Sequence, residues 1–256
     1  MNASQSLDRP GSRKRQRSHA DSRSESEIMH HLPPLVLVLS FVLLVAGAHM
    51  LLAGIASFQA EAFISSWDKR GQEPSAVAWE VAHNAAQRAI RLYPVADGDR
   101  LDRLGRIHSW KQFRQPYADP AAQRSRRAAL DAYRAATVAR PTWPYTWARL
   151  AHSKLYLQEF DDEFEQAMVQ AFQLGPWRIG VNRELAEIGF SAWPQLNEVQ
   201  RQITLESARR SVAFGNAEAR HLLEIAQRTG RVRVLCESLS HELRNTRQLA
   251  QCVRTQ

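Results

Sequence analysis

The sequence lacks most of the patterns on which enzymes and small secreted domains depend. Only two of its 256 residues are cysteine, which excludes a disulfide-dense mini-protein. No His-Glu-x-x-His or other spacing typical of metal ligands occurs, and there is neither a glycine-rich phosphate loop nor a Gly-x-Ser-x-Gly motif. We therefore predict that the protein is not an enzyme and that it has no cofactor and no bound metal.

Lysine is scarce as well, with four residues against 30 arginines in a chain of net charge +8 and pI about 10.1. We attribute this ratio mainly to the codon usage of a GC-rich, bacterial genome. The alternative interpretation, a nucleic-acid-binding protein, would require the basic residues to form a patch or a stripe. We expect no nucleic-acid partner.

Charged residues are absent from residues 32–60, and this gap divides the chain into three parts. Residues 1–31 form a basic, polar tail with few large apolar side chains, which predicts disorder. Within the gap, the 24 residues of Leu35–Phe58 would reach about 36 Å as a helix, enough to cross a hydrocarbon core of about 30 Å. Residues 32–60 are therefore predicted to be a transmembrane helix, and residues 61–256 a separate domain.

A cleaved signal peptide is the alternative interpretation of this apolar segment, with Ala46, Ala48 and Ala56 as candidate cleavage positions. The polar tail and the length of the segment both exceed what is usual for a signal peptide, which favours an uncleaved anchor. Six Lys and Arg residues precede the segment, whereas only Lys69 and Arg70 follow it closely. Because positive charge stays on the cytoplasmic side, we expect a single-pass protein of the bacterial inner membrane with a cytoplasmic tail and a periplasmic domain.

The domain is rich in Ala, Arg, Glu, Gln and Leu and contains no β-branched runs, which predicts an all-α fold. A pattern of small residues, leucines and prolines recurs along it. The fullest copy is Ala129-x3-Tyr133-x2-Ala136-x4-Pro141, followed by Trp147-x2-Leu150-Ala151. Partial copies are Ala82-x3-Ala86-x2-Ala89-x4-Pro94 before Leu101-x2-Leu104-Gly105, and Ala171-x4-Pro176 before Leu185-Ala186.

This pattern resembles the tetratricopeptide repeat, in which helical hairpins stack into a solenoid. The resemblance implies a short solenoid of three to four hairpins. We expect small residues such as Gly105 and Ala151 where the two helices of a hairpin approach closely, and a proline after each second helix. Residues 111–120 look like an insertion and should form a loop. A generic helical bundle with similar Ala and Leu spacing is the alternative.

A narrower resemblance covers the segments Ala139–Ala151, Glu159–Ala167 and Leu174–Trp177. These segments are similar to the small membrane-anchored repeat proteins that accompany bacterial exopolysaccharide machinery, the VpsP type. The resemblance implies a non-catalytic scaffold or adaptor in surface polysaccharide assembly, with other inner-membrane or periplasmic proteins as partners. Two alternatives stay open: an adaptor for another envelope process, such as secretion, division or complex assembly, and an envelope hydrolase or lyase.

The resemblance also implies a binding groove, because first-helix residues that point away from the packing stripe line the groove of tetratricopeptide-like domains. By helical spacing the candidates form two rows, which are Arg103, Arg106 and Trp110, and then Arg149, His152 and Tyr156. The next row is Glu184, Glu187 and Ser191. We expect a groove that is cationic and aromatic at one end and acidic at the other, suited to an acidic protein segment or an anionic glycan.

Two smaller features leave alternatives open. Cys236 and Cys252 would lie about 24 Å apart on one straight helix, too far for a disulfide, whereas a break near Arg244–Thr246 would allow the bridge. The segment Asp161–Glu165 contains four carboxylates. Acidic residues are typical of a helix start, where they face the positive end of the helix dipole, and a metal site is the alternative.

Overall fold

The computed structural model describes residues 17–249 and residue 252, with side chains from Pro34 onward. The described residues form eleven α-helices and a short 3-10 turn at Trp193–Gln195, and there is no strand among them. The predicted all-α class is therefore confirmed. In chain order the helices are α1 Arg17–Arg70, α2 Ala76–Leu92, α3 Gly98–Trp110, α4 Pro120–Ala139, α5 Pro144–Leu157, α6 Asp162–Leu174, α7 Ile179–Ala192, α8 Glu198–Phe214, α9 Asn216–Arg228, α10 Val232–Ser238 and α11 His241–Thr246.

Helix α1 carries the long apolar segment. Its part from Pro34 to Arg70 is long and apolar enough to cross a membrane, and it is the one such helix in the described part of the chain. The helix begins at Arg17, so residues 17–31 are helical where disorder was expected, and residues 1–16 lie outside the described residues. Extending an existing helix costs much less than nucleating one, which explains why α1 includes this polar sequence.

The chain divides into two compact units between Leu51 and Leu52, earlier than the boundary expected after residue 60. The reason is a buried seam on the last part of α1, since Ala53, Ala60 and Trp67 recur at intervals of seven residues and are all inaccessible to solvent or nearly so. Heptad spacing keeps one face of a helix against its neighbours. The residues that pack with this seam are Ile64 of α1, Ala82, Ala85 and Ala86 of α2, and Ile107 of α3.

Consecutive helices from α3 onward pack in pairs. The most extensive contacts join α3 with α4, α5 with α6, and α7 with α8, and α7 also contacts both α5 and α9. Helices α2, α4 and α6 end at Leu92, Ala139 and Leu174, each two residues before one of the prolines expected to follow them. The expected insertion is non-helical from residue 111 to Asp119, which caps α4.

Small residues set the distance between the paired helices. Gly105 of α3 lies against the ring of Tyr133 on α4, so closely that an added Cβ atom would come within 2.5 Å of the ring. Tyr133 itself is only 2% exposed. In the next pair, Ala151 of α5 is fully buried in one apolar cluster with Phe164 of α6 and Leu185 of α7. The expectation that Gly105 lies at a close contact between two helices is confirmed, and Ala151 is buried where residues of α5, α6 and α7 pack together.

We predict that Gly105→Ala destabilises the domain by about 1–3 kcal/mol, because the new methyl group overpacks the contact with Tyr133. The higher helix propensity of alanine would by itself act in the opposite direction. Thermal unfolding followed by circular dichroism measures the change. The matched control is Gly54→Ala, since Gly54 also lies inside a helix and no atom lies within 4 Å of a Cβ there. Equal melting temperatures for the two variants would contradict the close contact.

The carboxylate segment Asp161–Glu165 lies at the start of α6, as expected, and Asp161 caps the helix. It also surrounds a buried cation. The side chain of Lys154 is 0% exposed, and its Nζ donates to Asp161 Oδ2 at 2.8 Å and to Glu163 Oε2 at 2.6 Å. Hydrogen bonds from Arg134 and Lys154 lower the pKa of Glu163 to about 2. The segment thus neutralises an ammonium group, and no cluster suited to a metal ion occurs among the described residues.

A disulfide joins Cys236 and Cys252, whose Cα atoms are 5.1 Å apart. The chain leaves the helical conformation at Leu239 and Ser240, between α10 and α11. The segment Arg244–Thr246, where the sequence suggested a break, belongs to α11 instead. Both cysteines pack in the apolar cluster of the last helices, so the bridge closes the C-terminal end of the domain.

Maleimide labelling checks the bridge directly. Unfolded but unreduced protein should show no labelled thiol, and prior reduction should give two labelled thiols per chain. The double variant Cys236→Ser/Cys252→Ser should lose about 3 kcal/mol of unfolding free energy, because the bridge constrains a loop of roughly 15 residues in the unfolded chain. Two thiols that react without reduction would contradict the pairing.

Candidate functional site

Five of the six groove residues expected from helical spacing line one cavity of about 380 Å³, the groove cavity. Helices α1, α3, α4, α5 and α7 contribute to its walls. Its aromatic residues are Trp110, Phe113, Tyr133 and Tyr156. Its other residues are Asp68, Arg106, Ser109, Arg126, Ala129, Arg149, His152, Ser153 and Glu184.

Helix geometry explains why these side chains meet. Arg106 and Trp110 are four residues apart on α3, and residues 149, 152 and 156 have spacings of three and four on α5, so each set shares one helix face. Gly105 lies beside the α3 face, in the tight contact with α4, and Ala151 lies beside the α5 face, in the apolar cluster shared with α6 and α7. The polar and aromatic side chains therefore turn toward the space between successive helix pairs, where Glu184 of α7 completes the wall.

The sixth expected residue, Arg103, lies outside the groove cavity in a neighbouring depression. Its Nε donates to Glu61 Oε2 at 2.7 Å, and its Nη1 donates to Ser57 Oγ at the same distance. Both partners belong to α1. Arg103 therefore ties α1 to α3 and is not free to bind a ligand.

We expected this end of the groove to be cationic, but in the structure Arg106 and Arg149 are paired with carboxylates. Arg106 pairs with Glu61 at 3.0 Å and with Asp68 at 3.2 Å. Arg149 pairs with Asp102 at 2.7 Å, and although burial opposes its charge, this carboxylate holds the pKa of Arg149 above its ordinary value. Carboxylates of the chain itself therefore balance these arginines, which sequence spacing could not reveal because the partners are more than 35 residues away.

His152 has a partner that the sequence did not indicate. Its Nδ1 lies 3.2 Å from Glu184 Oε1, and its ring stacks on Tyr156 with the ring centroids 5.1 Å apart. Burial opposes the imidazolium form, but the hydrogen bond and charge of Glu184, with a smaller contribution from Glu187, outweigh it. The pKa of His152 is therefore raised above its ordinary value. In the third row expected from the sequence, Glu184 lines the groove cavity, whereas Glu187 pairs with Arg228 at 3.1 Å.

Sequence reasoning missed several residues of the groove cavity. In the sequence Tyr133 was noted only as part of the repeated pattern, although it also forms part of the wall. Arg126 of α4 donates to the backbone carbonyl oxygens of Gln115 and Pro116 at 2.6 and 2.8 Å, and its guanidinium lies over the ring of Tyr156. It holds the loop between α3 and α4, which brings Phe113 to the cavity. Arg126 precedes Ala129 by three residues and Tyr133 by seven, so it shares their face of α4. This helical spacing is the signal by which the sequence could have indicated Arg126.

The groove cavity can hold a ligand by stacking and hydrogen bonding. Trp110 and Phe113 meet edge to face with their ring centroids 4.8 Å apart, while Tyr156 and His152 stack on another wall. Cavities of this volume, with aromatic walls and a few convergent polar groups, are typical of small-ligand sites.

The chain matches no family model and no curated protein. The resemblances to tetratricopeptide repeats and to VpsP-type proteins therefore stay predictions. What the groove cavity does has to be inferred from its own residues and from the helices that carry them.

We predict that Glu184→Gln lowers the pKa of His152, because it removes the carboxylate that favours the imidazolium. Glu187→Gln should lower the same pKa by less, since Glu187 contributes the smaller charge effect. Titration of the imidazole C–H signals by NMR, with His152→Gln to assign the resonance, measures both changes. An unchanged His152 titration in Glu184→Gln would contradict the pairing.

Proposed function

We propose that the protein is a non-catalytic, membrane-anchored adaptor of bacterial surface polysaccharide (exopolysaccharide) biosynthesis. In this proposal the N-terminal tail is cytoplasmic, α1 is a single-pass inner-membrane anchor, and the helical domain is a tetratricopeptide-like solenoid in the periplasm. The groove of the solenoid binds partners of the polysaccharide assembly machinery.

The groove cavity is the observation that carries this proposal. Three successive helix pairs each supply residues from their first helix, with Trp110 on α3, His152 and Tyr156 on α5, and Glu184 on α7. In solenoids, repeated presentation of equivalent helix faces produces an extended binding surface. Partner binding through that surface is the function that such an arrangement supports best.

The charge distribution and the cysteines support the proposed location. Six Lys and Arg residues precede the apolar segment and few follow it closely, which favours a cytoplasmic N-terminus. The disulfide between Cys236 and Cys252 is typical of oxidising compartments such as the periplasm. Both features agree with a domain translocated across the inner membrane.

Alkaline phosphatase fused after Gln256 tests the topology. The fusion should be active if the domain is periplasmic, and the protein should remain in the membrane after alkaline extraction. An inactive fusion, or a shortened soluble protein, would contradict the anchored orientation.

Deletion of the gene tests the process. We expect reduced cell-surface polysaccharide that is restored by the wild-type chain and by Glu224→Lys, but not by Glu184→Lys. Both variants reverse one acidic charge, and Glu224 does not line the groove cavity. Folding and membrane insertion of both variants are checked by protease resistance and fractionation. Unchanged polysaccharide in the deletion strain, or full restoration by Glu184→Lys, would contradict the proposal.

A further inference from the structure

The aromatic residues of the groove cavity provide flat apolar surfaces at several angles. Trp110 and Phe113 form an edge-to-face pair. The ring of Tyr156 is already covered, since it stacks on His152 and the guanidinium of Arg126 lies over it, so Trp110 and Phe113 supply the surface for a ligand. The face of an aromatic ring carries partial negative charge, so it attracts weakly positive C–H groups. The C–H faces of a sugar ring fit such surfaces better than a flexible aliphatic chain does.

Unused hydrogen-bonding groups surround these rings. Within the described part of the chain, the groups of cavity residues that donate to no protein atom include the indole N–H of Trp110, Nη2 of Arg149, Nε2 of His152, the hydroxyl of Ser153 and the hydroxyl of Tyr156. One carboxylate oxygen of Glu184 and one of Asp68 likewise accept no hydrogen bond there. A ligand therefore meets both donors and acceptors. Hydroxyl groups satisfy both, since each can donate one hydrogen bond and accept others.

The charge balance favours an uncharged ligand. Three guanidinium groups, those of Arg106, Arg126 and Arg149, and His152 line the groove cavity. Four carboxylates lie in its wall or directly behind it, those of Glu61, Asp68, Asp102 and Glu184. These charges nearly cancel, and Arg126, which forms no ion pair within the described residues, already donates to backbone carbonyl oxygens. An anionic ligand would therefore gain little in return for its lost hydration. The structure therefore argues against the anionic glycan that the sequence suggested.

We propose that the groove cavity binds a neutral hexopyranose unit of a glycan, stacked on the pair of Trp110 and Phe113 and hydrogen-bonded through its hydroxyls to Glu184 and His152. The inference deepens the proposed function and rests on it for the source of the sugar, a surface polysaccharide.

Saturation-transfer difference NMR tests the sugar site. The full-length protein is placed in lipid nanodiscs, since many common detergents carry sugar head groups that would compete. The probes are methyl β-D-glucopyranoside, methyl β-D-galactopyranoside and methyl β-D-glucuronoside. We expect saturable transfer from the protein to the ring C–H protons of at least one neutral glycoside, and no tighter binding of the glucuronoside.

Variants locate the binding. Phe113→Ala should weaken it about tenfold, as expected for loss of an aromatic anchor. Glu184→Gln, which keeps the side-chain shape, should weaken it by about the same factor, as expected for loss of a hydrogen bond to a charged group. Trp177→Ala is the control, because Trp177 is 89% exposed and does not line the groove cavity; binding should be unchanged.

Absence of saturable transfer to both neutral glycosides, tighter binding of the glucuronoside, or equal affinities in all variants would overturn the sugar site. The polysaccharide phenotype is a separate readout. No sugar binding together with a polysaccharide defect in the deletion strain would overturn this inference and leave the adaptor proposal standing. Sugar binding without a polysaccharide defect in the deletion strain would overturn the adaptor proposal and leave the sugar site standing.

Discussion

Close approach of paired helices is the constraint on which the rest of the structure depends. Gly105 accepts the ring of Tyr133, and Ala151 is fully buried among residues of α6 and α7. Interiors packed at this density leave no room for larger side chains at such contacts. Helices α3 and α5 must therefore turn their long polar and aromatic side chains away from their own hairpin partners, into the space that becomes the groove cavity.

Charges drawn into that space are compensated within the chain. Arg149 reaches Asp102 on the preceding first helix, and His152 reaches Glu184 on the following one. Removing one partner of such a buried pair leaves a charge that is neither hydrated nor paired, at a cost of about 3–5 kcal/mol in well-buried cases. These pairs consequently fix the relative positions of α3, α5 and α7. They also leave the groove cavity close to neutral, which decides what kind of ligand it suits.

Helix α1 has two roles in one continuous element. Its apolar segment is long enough to cross a membrane, and its last turns form a seam against α2 and α3. Glu61 and Asp68, on those last turns, hold Arg103 and Arg106. A domain that began after residue 70 would lose these partners and Asp68 from the wall of the groove cavity, so the end of the apolar helix belongs structurally to the domain.

Local patterns in the sequence determined the all-α class, the long apolar helix, the helix ends before prolines and the residues on each groove-facing helix surface. These features depend on helical periodicity and backbone chemistry, which act over a few residues. Only the tertiary structure decided that Glu61 binds Arg103, 42 residues away, that Cys236 meets Cys252, and that α1 joins the domain from Leu52. Ion pairs and cavities require distant segments to approach, and no local pattern encodes which charges will meet.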